Sequence, residues 1–466
     1  MKADIERWLV CAFPFLWAVM LLSAAQVMAE DTLSWQRNPE RVSADFKSAP
    51  LFTVLERIAG ATGWHVFVEP DTAHTVSAKF SDLPPGDALH FLLGDVNFLV
   101  LPATNGDSKL YVFHTSMSKA TSLVKAPPPP VLRTPQSKAI TNELVVRLKP
   151  GAKIEDLARL LGAKVIGRID NLDAYRLQFD GASATDAARQ QLASNPDVAS
   201  VDSNFSIDRP PTTLQPMPTA APAPQLQLKP PPDNGRVIVG LIDTGMQPLG
   251  NNLDQFLMKS ISVAGQDQLD PNTPSHATAM AETLLRSLQN VTQGQTSVQI
   301  LPVDVYGPNT STSTFDVANG IAQAVNGGAK IINLSLGSES DSPFLHSVIQ
   351  DANSKNILFI GAAGNTPVTT PFYPAAYPEV NAVTAVDNGK LDSYANRGSF
   401  VTLGAPGNSV VNYGNQSWYV AGTSASAAFT SGIAAGYLEA NPGSTPANSQ
   451  TFLRNNLGIK ISPAGP

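Results

Sequence analysis

The sequence predicts an α/β protein in which two small α+β units precede a larger domain built on a parallel sheet. Strand and helix patterns alternate through residues 234–460, which is typical of a parallel sheet with helices on both faces. Residues 142–207 follow the order β-α-β-β-α-β, which is typical of a ferredoxin-like unit. Pro-rich segments at 126–135 and 209–232 are predicted to be linkers between these parts. A chain of 466 residues is long enough for about three domains.

The first 29 residues (1–29) have the pattern of a secretory signal. Two basic residues precede an apolar run at 8–25, and Val27-Met28-Ala29 offers a cleavage site. An uncleaved membrane anchor is the alternative, because the run is close to the ~18 apolar residues that span a bilayer. The only cysteine, Cys11, lies within this segment. A cleaved protein is therefore free of disulfides.

Residues 40–115 form the first predicted unit, in which a strand followed by a helix occurs twice. Apolar periodicity predicts strands at 42–46, 66–68, 76–80, 98–101 and 110–113, and helices at 51–58 and 87–93. The last two strands form a hairpin around Asn105-Gly106. The pattern resembles the short N-terminal domain of secretins and TonB-dependent receptors. The resemblance implies that the protein is located in a Gram-negative envelope and that this unit binds another protein. An unrelated small α+β domain is the alternative.

The same periodicities predict the elements of the other two parts. In 142–207 they predict strands at 144–148, 163–169, 174–179 and 198–202, and helices at 154–161 and 184–194. In 234–460 they predict strands at 236–242, 298–305, 329–335, 357–362 and 380–386, and helices at 277–289, 314–326, 343–354 and 424–438.

Three short segments of the larger domain carry candidate chemistry. They read Ile-Asp-Thr-Gly at 242–245, Ser-His-Ala-Thr at 275–278 and Gly-Thr-Ser at 422–424. The Asp ends a predicted strand and the Ser begins a predicted helix, which are the places where open α/β sheets put functional groups. A serine becomes a nucleophile when an imidazole takes its proton and a carboxylate orients that imidazole.

Asp243, His276 and Ser424 fit these three roles. Each segment also has a plainer interpretation, because Asp-Thr-Gly after a strand is often a turn and Gly-Thr-Ser before a helix is often an N-cap. His276 is more informative. The only other histidine after residue 234, His346, is predicted to face solvent on the helix at 343–354. The chain order Asp, His, Ser is one of three unrelated orders for this geometry, with subtilisin as its example.

The stretches between these segments carry a family resemblance. They read Lys-Ile-Ile-Asn-Leu-Ser-Leu-Gly at 330–337 and Ile-Leu-Phe-Ile-Gly-Ala-Ala-Gly-Asn at 357–365, and 373–387 follows the same family pattern. Together they resemble the subtilisin-like (S8) serine peptidases, over about 234–457. The resemblance implies a three-layer α/β/α domain and a serine endopeptidase that forms an acyl-enzyme.

The resemblance also assigns the surrounding residues. It implies that Asn365 donates to the oxyanion. It implies that extended substrate pairs by strand addition with Ser335, Leu336 and Gly337, and that Ala363 and Gly364 shape the pocket for the residue before the cut.

The unit at 142–207 resembles the family's inhibitory propeptide, including Asn-Pro-Asp-Val-Ala-Ser-Val-Asp at 195–202. The resemblance implies that the chain's own propeptide is an intramolecular inhibitor and that the protein is a zymogen. The Pro-rich linker at 209–232 is long enough to expose a cleavage site. The sequence therefore predicts autoprocessing by a secreted or periplasmic endopeptidase.

Three residues depart from the family pattern. Ala277 and Glu282 stand where relatives have glycine, and Ala428 replaces a proline. A buried carboxylate is costly, so Glu282 is predicted to have a partner or a raised pKa. Ala277 and Glu282 argue mildly for the alternative of a catalytically weak homologue that binds peptides in the cell envelope, while the intact Ser, His, Asp and Asn argue against it. An esterase is a second alternative, although its usual Gly-x-Ser-x-Gly and its order Ser, Asp, His do not occur here.

No cofactor and no metal are predicted. Calcium needs several oxygen ligands, usually carboxylates, and the stretch 284–299, where many relatives insert a calcium loop, contains no Asp or Glu. The net charge of −7 gives no basic surface for nucleic acid. The predicted partners are polypeptide substrates, the chain's own propeptide and an envelope protein for the first unit.

Overall fold

The structure is a computed structural model of the chain. It describes residues 32–37, 40–70, 72, 74–101, 108–124, 138–211, 214–217, 225–230, 237–250, 252–387 and 389–459. The predicted signal at 1–29 with Cys11, the linker at 126–135 and the turn at Asn105-Gly106 lie outside these residues. The chain divides into two compact units, 1–129 and 130–466.

The first unit folds its described residues into two sheets and the helices α1 and α2. Its elements are β1 Thr32–Arg37, β2 Glu40–Pro50, α1 Leu51–Thr62, β3 His65–Val68, β4 Thr75–Leu83, α2 Pro85–Leu93, β5 Asn97–Leu101, β6 Lys109–Phe113 and β7 Ser122–Val124. The sheets have the orders β1-β2-β4 and β5-β6-β3-β7. Val54, Leu55 and Ile58 of α1 are buried in the shared core, as their helical spacing requires. Sequence periodicity did not predict β1 and β7.

The second unit begins with a four-stranded antiparallel layer. Its elements are β8 Ala139–Leu148, α3 Ile154–Leu161, β9 Lys164–Ile169, β10 Ala174–Gln178, α4 Ala182–Ala193 and β11 Val198–Asp208. The strand order β11-β8-β10-β9 is that of a ferredoxin-like unit. The strand β11 runs six residues beyond the predicted end at 202, because its last residues pair with a strand of the following domain.

The remaining residues of the second unit form the larger domain. Its elements are β12 Leu214–Pro216, β13 Ile238–Asp243, β14 Ile261–Ser262, α5 His276–Thr292, β15 Gln299–Asp304, β16 Ser311–Ser313, α6 Thr314–Asn326, β17 Ile331–Leu334, α7 Pro343–Ser354, β18 Leu358–Ala362, β19 Val380–Asp387, β20 Lys390–Leu391, β21 Leu403–Pro406, β22 Asn408–Tyr413, β23 Gln416–Ala421, α8 Thr423–Ala440 and α9 Pro446–Leu457.

A parallel sheet organises this domain. The strands β14, β15, β13, β17, β18 and β19 are parallel neighbours in that order, and β20 adds an antiparallel edge. The helices α5 and α8 pack in one hydrophobic cluster, and α6 and α7 pack in the cluster on the other face. The predicted three-layer α/β/α fold is therefore confirmed. Strands buried on both faces need continuous apolar sequence, which is why they were predictable.

Some elements of this domain had no sequence signal. The β22–β23 hairpin and the helix α9 were not predicted, because their apolar residues follow neither period clearly. Among the described helices, none combines the length and apolar character needed to cross a membrane.

Candidate active site

Asp243 is the last residue of the central strand β13. Parallel pairing with β15 and β17 fixes the strand end, and the side chain is 1% exposed. Its Oδ1 accepts the N–H of Thr244 at 2.7 Å. The carboxylate therefore has one fixed orientation at the carboxyl edge of the sheet.

His276 is the first residue of the helix α5. Its Nδ1 lies 2.8 Å from Oδ1 and 2.9 Å from Oδ2 of Asp243. The helix starts here because the Ser275 side chain accepts the N–H of Thr278 as an N-cap. The hydroxyl of Thr244 accepts the N–H of Ala277 at 3.1 Å, so the strand end and the helix start are joined directly.

Gln247 is a supporting residue that the sequence did not reveal. Its side-chain oxygen accepts from Ser275 N at 2.7 Å and from Thr278 Oγ1 at 2.6 Å. Its amide nitrogen donates to the carbonyls of Asp270 and Thr273. A single buried glutamine thus holds the first turn of the helix that carries His276, and no local motif predicts such a contact.

Ser424 lies in the first turn of α8. Its hydroxyl donates to the carbonyl of Ser335 at 3.4 Å, and within the described residues it makes no hydrogen bond to His276. Hydrogen bonds of this type are often long in free enzymes and tighten when substrate binds. The structure therefore joins Asp243 to His276 and places Ser424 against the predicted substrate strand.

Asn365 is held against the start of α8. Its Oδ1 accepts the N–H of Thr423 at 2.8 Å and the hydroxyl of Thr423 at 2.9 Å. Its Nδ2 lies 3.0 Å from the place that a Cβ would take on Gly422, where φ is 144°. Gly422 therefore gives the amide room, and the donor end of Asn365 faces the segment that carries Ser424.

A cleft of about 760 Å³ runs past these residues. Its lining includes Ser335, Leu336, Gly337, Gly364, Asn365 and Ser424 from the predicted site. Ala363 is fully buried behind the surface, and Ala362 lines the cleft instead. Residues Asp208 to Pro211, which follow the ferredoxin-like layer, line the same cleft.

Glu282 has the partners that its burial predicts. Its carboxylate accepts from Arg286 Nη2 at 2.5 Å and from the N–H of Asn412 at 2.9 Å. Burial raises the pKa of the Glu282 carboxyl, and the neighbouring Arg286 charge lowers it only in part. The prediction of a partner or a raised pKa is confirmed on both counts.

His346 differs from its predicted position. It is partly buried, its Nε2 lies 2.9 Å from Glu379 Oε2, and its ring stacks on Tyr377 with centroids 4.2 Å apart. The prediction of a solvent-facing residue was wrong, because the loop at 373–379 covers this side of α7. No three His, Cys, Asp or Glu side chains in the described ranges are grouped closely enough to hold a metal.

Comparison with known proteins relates this geometry to a family. Residues 234–463 match the subtilase family, and residues 125–204 match the fervidolysin N-terminal prodomain. Thermitase of Thermoactinomyces vulgaris is 30% identical over 233 residues, which are 49% of this chain and 82% of thermitase. The chain belongs to the subtilase family.

This subtilase is also similar to the thermophilic serine proteinase of Bacillus sp. (strain AK1), with 33% identity over 228 residues and 48% of the chain. It spans about half of that relative, 54% of its length. The crystal structure of fervidolysin from Fervidobacterium pennivorans superposes with a TM-score of 0.53 at 17% identity, over 70% of this chain and 58% of that one. At that identity the likeness concerns the fold alone.

Proposed function

We propose that this subtilase is a serine endopeptidase that hydrolyses peptide bonds in polypeptides. The pairing of His276 Nδ1 with both carboxylate oxygens of Asp243 carries the proposal. A carboxylate in this place keeps the proton on Nδ1, so that Nε2 can accept a proton from a serine. Ser424 supplies that serine in the neighbouring cleft, and membership of the family supports the same roles.

In the proposed reaction, Ser424 Oγ attacks the carbonyl carbon while His276 Nε2 takes the hydroxyl proton. The carbonyl oxygen becomes negative and accepts hydrogen bonds from Asn365 Nδ2 and a backbone N–H. The C–N bond then breaks, and His276 gives its proton to the leaving amine. Water, deprotonated by His276, hydrolyses the acyl-enzyme and restores Ser424.

The proposal includes synthesis as a zymogen. The match of 125–204 to a prodomain and the position of Asp208 to Pro211 in the cleft support an intramolecular inhibitor that is removed by autoprocessing. The signal-like sequence at 1–29 supports a secreted or periplasmic location. An envelope partner for the first unit rests on its resemblance to the secretin and TonB-dependent receptor domain, which stays a prediction.

One observation favours a second candidate, a catalytically weak homologue that binds peptides in the envelope. The Ser424 hydroxyl donates to Ser335 O and not to His276, so the described geometry is not that of an activated nucleophile. The two candidates differ in whether Ser424 reacts.

Labelling with a fluorophosphonate separates them. We expect the reagent to modify Ser424 in the processed protein, because only a serine activated by an imidazole attacks the phosphorus rapidly. Mass spectrometry of the labelled peptide identifies the residue, and Ser424→Ala is the control that loses the label. A processed protein with an unmodified Ser424 rules out the endopeptidase and leaves the peptide-binding module.

A further inference from the structure

The chain's own segment at 206–209 forms an added strand whose last two residues, Asp208 and Arg209, line the cleft. Ser206, Ile207 and Asp208 pair antiparallel with β16, and the N–H of Arg209 donates to the carbonyl of Thr310 at 2.9 Å. Main-chain pairing of this kind is how a groove holds an extended polypeptide. Side chains of this segment therefore occupy the places of substrate side chains.

The same segment shows on which side of the reacting bond Arg209 lies. Pro210 and Pro211 line the cleft with Ser424, and beyond them Leu214 pairs with Val420 of β23. That strand ends at Ala421, just before Ser424. Arg209 therefore lies on the amino-terminal side of Pro210 and Pro211, which line the cleft together with Ser424.

The Arg209 side chain enters a built site. Its Nη2 lies 2.6 Å from Oδ2 of Asp267 and 2.7 Å from the carbonyl of Gly307. Its guanidinium carbon lies 5.6 Å from the centre of the Tyr306 ring, a cation–π distance. The hydroxyl of Tyr306 also donates to the carbonyl of Asp208 at 3.1 Å, so one residue contacts both the main chain and the side chain of the occupant.

The site is rigid and adjoins the reacting groups. The Oδ1 of Asp304 accepts the N–H groups of Tyr306 and Gly307, both at 2.9 Å, which fixes the loop that presents the ring and the carbonyl. Asp267 packs against Gly245, two residues after Asp243, since a Cβ on Gly245 would lie 2.8 Å from the Asp267 Cβ.

The charge at this site needs a cation. With the Arg209 segment in place the Asp267 side chain is 6% exposed, so an occupant that covers this carboxylate without pairing its charge carries a desolvation cost. When the prosegment leaves, Asp267 loses the guanidinium of Arg209 and becomes open to water, so a substrate that covers it again is favoured if it brings a cation. A planar guanidinium satisfies a carboxylate, a carbonyl and an aromatic face together, which a compact ammonium does less well.

We propose that Asp267 and Tyr306 form a specificity subsite for an Arg side chain of the substrate, on the amino-terminal side of the cut bond. The inference rests on the endopeptidase function proposed above. It names the substrate class as polypeptides that carry Arg within a few residues before the cut.

Paired fluorogenic peptides test the subsite in the processed protein. The peptides differ only in Arg or its neutral isostere citrulline, placed in turn at each of the positions before the cut. We expect kcat/KM to favour Arg by about tenfold or more at one position, since a hydrogen bond to a charged group contributes about 1.5–3 kcal/mol. Asp267→Asn is expected to bring that ratio close to one, while Asp351→Asn, a control on α7 with its carboxylate half exposed, retains it.

Two outcomes overturn the subsite: a wild-type ratio near one at every position, or a ratio that Asp267→Asn leaves intact. If Asp267→Asn does not fold, the wild-type protein provides the test. Its kcat/KM ratio for Arg over citrulline should then fall as the salt concentration rises, because a preference based on charge weakens with ionic strength; a ratio that salt leaves unchanged overturns the subsite. Active sites are counted with the fluorophosphonate, which carries no Arg. A failure of the endopeptidase function therefore shows as missing label, and a failure of the subsite shows as a labelled enzyme without preference.

Discussion

At the scale of single residues, Glu282 shows how a departure from the family pattern is accommodated. It lies within α5, the helix that begins at His276, and is buried at the position where the sequence resemblance led us to expect glycine. Arg286, one turn further along, and the N–H of Asn412 on β22 satisfy the carboxylate. The substitution therefore joins α5 to the β22–β23 hairpin by a charged group without disturbing the pair of His276 and Asp243.

This carboxylate makes stability depend on pH. Burial raises the pKa of Glu282 above its usual 4.5, so the folded state keeps a proton that the unfolded state releases. The resulting stabilisation is complete below about pH 4.5 and is lost as the pH rises through the folded pKa. We expect Glu282→Gln to gain stability relative to wild type as the pH rises across this window, measured by urea unfolding at a series of pH values.

Glu155→Gln is the matched control for this pH dependence, with every compared protein carrying Ser424→Ala so that the prosegment stays in place. Its own backbone N–H and then Arg168 lower the pKa of the exposed Glu155, so its stabilisation appears above the unfolded pKa and is lost in acid. We expect Glu155→Gln to lose stability relative to wild type as the pH rises. If stability relative to wild type changed with pH in the same way in both variants, the role given to Glu282 would be contradicted.

At the scale of elements, the contact between α5 and α8 sets the distance between the helices that carry His276 and Ser424. Gly432 of α8 faces α5 so closely that a Cβ there would lie 1.9 Å from Ser287 Oγ and 2.3 Å from the carbonyl of Leu284. Ser287 in turn donates to the carbonyl of Phe429 at 2.7 Å. The small residue at 432 is therefore required by packing.

We expect Gly432→Ala to push α8 away from α5 and to destabilise the protein by about 1–3 kcal/mol, the usual cost of overpacking a core. The catalytic rate is expected to fall as well, because the two helices carry the base and the nucleophile. Thermal unfolding and peptide hydrolysis measure the two effects. Unfolding is compared in full-length proteins that carry Ser424→Ala and so keep the prosegment. Gly181→Ala is the control there, since no heavy atom lies within 4 Å of its added Cβ; similar losses of stability in both variants would contradict the packing argument.

At the scale of the whole second unit, the ferredoxin-like layer and the subtilase domain are joined by buried polar contacts. Arg176 forms two hydrogen bonds to Glu143, at 2.7 and 2.9 Å, and a third to Asp316 of α6 at 3.0 Å. Asn204 donates to Glu143 and accepts from Thr314 and Phe315 N. This interface holds β11 beside β16 and directs the following residues into the cleft.

The residues that follow β11 lie in the cleft beside Ser424, where the chain could cut itself. If Ser424 cuts its own chain, wild-type protein should lose its amino-terminal part by cleavage within 209–232, while Ser424→Ala stays full length. Intact-mass spectrometry and amino-terminal sequencing of the two purified proteins measure this. Equal cutting of both would show that another protease is responsible.

The sequence by itself determined the layers of this protein and the residues with candidate chemistry. Continuous apolar strands such as β13 and β18, and helices such as α6 and α7, have periods that depend only on neighbouring residues. Asp243, His276 and Ser424 are recognisable because their segments are short and ordered along the chain.

The tertiary structure alone decided what distant segments do to each other. It extended β11 onto β16, set Gln247 under the His276 helix and placed Arg209 against Asp267. These contacts join residues 28 to 107 positions apart in the chain, and no local period or motif encodes them. Their energy depends on burial and on paired charges, which exist only after the chain has folded.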